Sequence, residues 1–165
     1  MNNTNKIIAA CGGVAVLIMA LFFATKPANT PEAIIDAAGE AFKAGDIEEY
    51  FMCTVPLTVE KVKAKEKVLI EKSMAATRSN PNPMSKPVVR KTITKSDCAI
   101  VIMETKVKIG ETTHQHFHRQ PVIKIDGRWL MASHYWTTNK ELYARVKADF
   151  KAADKEAKDW IKANR

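Results

Sequence analysis

The chain has 165 residues, 46% hydrophobic and 27% charged, with a formal net charge of +8. That length buries a sizeable core in one domain, and that composition excludes a disordered chain. The basic excess lies mainly in residues 61–72, 86–95 and the carboxy-terminal stretch, interleaved with Glu and Asp, which fits solvated faces and argues against a nucleic-acid track; a membrane-surface role stays open.

The first element is an uncharged run, Ile7 to Ala24, flanked by Lys6 and Lys26. As a helix its eighteen residues span about 27 Å, close to a hydrocarbon core. A cleaved signal has a shorter apolar region and a small-x-small site; here Phe22 stands where the first small residue should be if cleavage followed Ala24. Ile8-Ala9-Ala10-Cys11 looks like a lipoprotein box, yet most of the apolar run follows the cysteine. The reading is an uncleaved signal-anchor, with a cleaved signal and a lipoprotein as alternatives. The Lys/Arg bias across it is slight. A short tail before the first apolar run stays in the cytoplasm, so the rest is expected to face the periplasm or cell exterior from a single span in the inner membrane. Residues 1–26 then form tail and anchor, 27–137 a domain, and 138–165 an amphipathic helix packed on the domain or on a partner.

Thr30-Pro31-Glu32 reads as N-cap, first-turn proline and acidic first turn. Ile34, Ile35, Ala38, Ala41 and Phe42 recur at helical spacing until Gly45. Asp46 caps a short second helix, IEEYFM, and Pro56 stops it. A third helix is expected from about Val59 to Thr77, followed by a loop, Arg78–Pro87. The pattern then turns β-branched. Val88–Thr94, Ala99–Ile109, Thr112–Ile125 and Arg128–Thr137 read as strands, joined in part by two-residue turns at Gly110-Glu111 and Asp126-Gly127. Asn139 to about Ala163 is a last helix with Leu142, Val146, Phe150, Ala153, Ala157, Trp160 and Ile161 as its stripe.

Helices followed by an antiparallel four-stranded meander make an α+β fold. TPEAIIDAAGEAFKAGDIEEYF and VIKIDGRWLMASHYW resemble the nuclear-transport-factor-2-like superfamily, over about residues 30–137. The first stretch looks like its opening helix pair, the second like its final hairpin with Trp129 after the turn. The resemblance implies a cone in which a curved sheet wraps around helices. It implies no single activity, since that superfamily holds isomerases, dehydratases, ligand carriers and activity-free scaffolds. With one amino-terminal span, the chain resembles small envelope proteins of unknown function and the inner-membrane assembly factors of type IV secretion. In such a cone the corner at Cys53 comes near a strand end such as Cys98. One disulfide is therefore expected in an oxidising compartment, with two separate buried thiols as the alternative.

THQHFHRQ, residues 113–120, carries His114, His116 and His118. The two turns set Val107 opposite His114, Thr105 opposite His116 and Met103 opposite His118, and then Val122 by Met131, Gln120 by Ser133 and His118 by Tyr135. If this face is concave, as the resemblance implies for Trp129, the pocket comprises Met103, Thr105, His116, His118, Gln120, Met131, Ser133 and Tyr135. The opposite face, with Ile100, Ile102, Phe117, Ile123, Ile125, Leu130 and Trp136, is equally apolar. A bulge near Pro121 would reverse the assignment, and the last helix is another cover for that face.

No metal or cofactor is expected. The outer histidines of the three are ~13 Å apart on an extended strand, against Zn–N bonds of ~2.0–2.1 Å, and the face has no carboxylate or cysteine. The function expected is a non-catalytic, membrane-anchored envelope domain that binds a partner protein or small ligand, with a secretion-type scaffold as its sharper form. A homo-oligomer is an option and nucleic acid is not. The alternative is a small hydrolyase or isomerase using His118 and Tyr135.

Overall fold

The computed structural model describes residues 29–79 and 86–164. The expected membrane span, Ile7–Ala24, lies outside them, as do residues 80–85 of the expected loop. Among the described residues no helix is long and apolar enough to cross a membrane.

Helix α1, Pro31–Ala44, starts where the Thr30 hydroxyl accepts from the Ala33 N–H at 3.2 Å. It ends at Gly45, whose φ of 76° is left-handed, with the Asp46 N–H returning to the Ala41 carbonyl at 3.0 Å. The Asp46 side chain then caps α2, Ile47–Met52. Helix α3 runs Glu60–Ser79, and only Glu66, Ile70 and Met74 of it are buried, a single stripe at four-residue spacing.

The sheet is an antiparallel meander in the order β1-β2-β3-β4: Val88–Lys95, Cys98–Ile109, Thr112–Ile125 and Arg128–Met131. Asp126 and Gly127 both have positive φ, as a tight two-residue hairpin turn requires. The β2–β3 register is the one counted from the turns: Val107↔His114, Thr105↔His116 and Met103↔His118. No bulge intervenes at Pro121, which faces Ile100 directly.

One expectation is corrected here. β4 ends at Met131, not Thr137, so the ladder never reaches Ser133 or Tyr135 and does not pair Tyr135 with His118. At Met131 the strand also meets α2's exit: Met131 exchanges hydrogen bonds with Cys53 and Val55, and beyond it the chain turns into a short 3-10 helix, Trp136–Thr138.

Both sheet faces are buried. Ala99, Val101, Val122 and Trp129 pack with Met103 and with Ile34 and Ile35 of α1. On the other face Ile93, Ile100 and Ile102 pack against Ala153, Ala157 and Ile161 of α4, Lys140–Ala163. Each fully buried isoleucine contributes about 1.5–3 kcal/mol, so the α4 layer is not dispensable. Phe117 meets Trp160 on this side, ring centroids 5.7 Å apart.

Candidate functional site: a cavity between helix α1 and the sheet

A cavity of about 530 Å³ lies between α1, Tyr50 of α2, the end of α3 at Thr77 and the sheet residues Val89, Met103, Gln120 and Met131. Successive turns of α1 supply Ile35, Ala38, Gly39 and Phe42. Its volume falls within the usual range of ligand pockets, roughly 300–1,000 Å³. Asp36, Glu40, Lys43 and Lys86 border it. Glu40 and Lys43 form an exposed ion pair at 2.8 Å, of the kind that contributes little to stability.

Gly39 is the unusual wall residue. It sits inside a regular helix, where glycine costs roughly 1 kcal/mol relative to alanine. No heavy atom lies within 4 Å of the position a β-carbon would take. Close packing therefore does not require the glycine; its physical effect is to leave that wall of the cavity open.

Besides these border residues, Gln120, Tyr50 and the neighbouring Glu66 bring polar groups to or near this space. The Gln120 amide nitrogen donates to the Ala132 carbonyl at 2.8 Å and to the Pro121 carbonyl at 3.1 Å. Tyr50 is 9% exposed and packs edge-on with Phe51. Burial, then the charge of Glu66 and the thiol of Cys53, push its hydroxyl up to about 12. Glu66 is fully buried; its Oε1 accepts from the His134 N–H at 3.3 Å and lies 3.4 Å from His134 Nδ1, while Oε2 has no partner among the described residues.

Of the residues singled out from the sequence, Met103, Gln120 and Met131 line the cavity. His118 shares their face but is exposed, and its Nε2 lies 2.9 Å from the buried Thr105 hydroxyl. His114 and His116 are exposed too, because the β2–β3 ribbon runs on past Glu104, where β1 stops pairing with β2. Ser133 is buried in the turn after β4, its hydroxyl unpartnered among the described residues. Tyr135 carries the Lys65 ammonium 5.3 Å above its ring. The structure thus keeps Tyr135 out of the strand register that would have set it beside His118. Among the described residues no group of three or more His, Cys, Asp or Glu is placed to hold a metal.

The expected Cys53–Cys98 bond is also corrected. Both are buried free thiols. Cys53 packs with Tyr50, Ile70 and Met74, whereas Cys98 packs with Val55, Ile123 and Val146 in a different core cluster.

Sequence reasoning did not single out Gly39, Tyr50 or Glu66. Signals for two of them were present: an uncapped glycine inside the α1 pattern, and a glutamate one turn before Ile70 and Met74 on the same stripe. Tyr50 gave none, since a tyrosine in a six-residue helix reads as ordinary core.

No protein-family model matches the chain, and no curated protein does. Several solved structures match part of the chain. They include a nuclear-transport-factor-2-like protein of unknown function from Shewanella oneidensis MR-1, at 18% identity and TM-score 0.39, covering 59% of this chain and 88% of that one. Another, from Campylobacter jejuni, is described as a candidate nuclear-transport-factor-2-like transpeptidase, at 14% identity and TM-score 0.46, covering 62% and 97%. A SEC-C motif containing protein from Rhodopseudomonas palustris matches at 19% identity and TM-score 0.46, covering 68% and 83%. At these values, function has to be read from this chain's own side chains.

Proposed function

We propose that this protein is a non-catalytic binding domain that holds a small, largely apolar molecule between α1 and the sheet. The observation that carries the reading is the cavity of about 530 Å³ with Gly39 facing open space in its wall. Catalysis finds less support. His118 is engaged by Thr105 and Tyr135 lies under Lys65, and the buried acid, Glu66, is not among the residues lining the cavity. A general base has to reach its substrate's proton directly or through one water.

The test uses the full chain and two substitutions. Gly39→Ala adds one carbon where nothing stands within 4 Å and is expected to raise stability by about 1 kcal/mol while leaving the cavity open. Gly39→Phe fills it. In a thermal-shift screen of small apolar compounds, ligands that raise the Tm of the native chain and of Gly39→Ala should have no effect on Gly39→Phe, because stabilisation by a ligand follows its binding to the folded state. Hits that act equally on all three chains would remove the cavity from the function.

We further propose that the domain is held at the envelope face of the inner membrane by Ile7–Ala24, eighteen uncharged residues. Alkaline carbonate extraction decides between a span and a peripheral contact. The chain is expected to stay in the membrane pellet, and its release to the supernatant would overturn the anchor.

A further inference from the structure

We propose that the cavity selects a neutral group that both donates and accepts a hydrogen bond, a hydroxyl above all, carried on an apolar body; this rests on the cavity being the ligand site. Gln120 and Tyr50 make the selection. A glutamine amide offers two N–H donors and one acceptor oxygen. Here the nitrogen faces two backbone carbonyls, Pro121 and Ala132. Turning the amide over would set oxygen against oxygen, so the network fixes its orientation. Both N–H groups are engaged, and what Gln120 has left for the cavity is Oε1, an acceptor with no hydrogen-bond partner among the described residues.

Tyr50 supplies the complement. Its hydroxyl makes no hydrogen bond with the described residues, and the side chain lines the same cavity. Burial first, and the Glu66 charge second, keep the phenol neutral up to about pH 12, so it is always able to donate. The chemistry then sorts ligands. A carboxylate cannot donate to Oε1 and is repelled by it. An ether accepts from Tyr50 and leaves Gln120 unmet. An ammonium can donate to Gln120 but cannot accept, and so leaves Tyr50 unmet. A hydroxyl, or a primary amide, carries both the donor that Gln120 needs and the acceptor that Tyr50 needs.

Methyl-labelled methionine NMR on the full chain tests this, because Met103 and Met131 both line the cavity. The probes are naphthol, methoxynaphthalene, methylnaphthalene and naphthoate, all substituted at the same ring carbon. Naphthol should shift the two methionine signals with an affinity roughly tenfold above methoxynaphthalene, methoxynaphthalene should in turn bind more tightly than methylnaphthalene, and naphthoate should bind weakest. Gln120→Leu should bring naphthol and methoxynaphthalene to the same affinity, and Tyr50→Phe should do so for methoxynaphthalene and methylnaphthalene. Equal affinity of all four probes for the native chain overturns the selection while leaving the cavity as a binding site. No shift of either methionine with any probe overturns both. If a variant loses its spectral dispersion, the order of the four probes on the native chain still decides.

Discussion

Glu104 is a charge placed where an isoleucine would be expected, on the face of β2 that carries Ile100 and Ile102, its side chain 3% exposed. What makes it tolerable is the bulge in β1 between Val89 and Lys91, which frees Arg90 to donate from Nε at 2.5 Å. The Arg90 hydrogen bond, helped by the nearby charges of Arg90 and Lys106, holds the Glu104 carboxyl below the ordinary value of 4.5. A lowered folded-state value means that its stabilisation is complete above 4.5 and is lost as pH falls through the folded value. Glu104→Gln should therefore lose less stability than the native chain between neutral pH and about pH 3, near the lower end of carboxyl titration. Urea melts at both pH values would show it, and parallel losses would refute it. Glu66 is the opposite case, a buried carboxylate with one oxygen unpartnered among the described residues. Glu66→Gln keeps an acceptor for the His134 N–H and removes the charge. It should stabilise the fold by about 1 kcal/mol at neutral pH and bring the Tyr50 titration down from about 12. A destabilised variant with an unmoved tyrosine titration would contradict both statements.

At the scale of elements, α4 decides how the sheet is used. Ala153 and Ala157 are fully buried against Ile93, Ile100 and Ile102, and their small side chains let the helix lie close to the strands. Asp154 pairs with Arg119 of β3, and Glu156 with Lys95 of β1 at 3.1 Å, so polar contacts flank the apolar seam on both sides. Ala157→Leu should overpack this seam and cost about 1–3 kcal/mol. Ala148→Leu, on the exposed side of the same helix, should change stability by no more than about 0.5 kcal/mol. Chemical denaturation of the two variants is the check; equal effects would mean that the seam is not tightly packed. The β1 edge is guarded by the same contacts. Its lysines and its bulge make it a poor template for a further strand.

For the molecule as a whole, the two thiols of the described residues, Cys53 and Cys98, report on cooperativity. Burial pushes Cys98 up to about 12 and raises Cys53 as well, and the thiolate is the reactive form. They sit in separate clusters, Cys53 with Met131 and Cys98 with Val55, which the hydrogen bond from the Val55 N–H to the Met131 carbonyl links. Alkylation should be slow at both in the native chain, and complete at both in urea without reductant. Fast modification of one alone in native buffer would show that its cluster opens independently. Resistance of both in urea until a reductant is added would restore the disulfide.

Local pattern determined the elements. The caps at Thr30, Asp46 and Asn139, the stop at Gly45 and the turns at Gly110 and Asp126-Gly127 are chemistry of a few adjacent residues. Because a two-residue turn fixes the register beyond it, the pairing of every β3 histidine with β2 followed as well, though not that of His118 with Tyr135. Period-two patterning could not say which face is core, since both are apolar, and only tertiary structure resolved this by putting α1 on one and α4 on the other. Nor could it foresee that Met131 pairs on its other side with Cys53 and Val55, which are distant in sequence. The cavity was beyond reach for the same reason. A void is a relation among α1, α2, α3 and four strands, and no side chain records in its own neighbourhood what fails to fill the space before it.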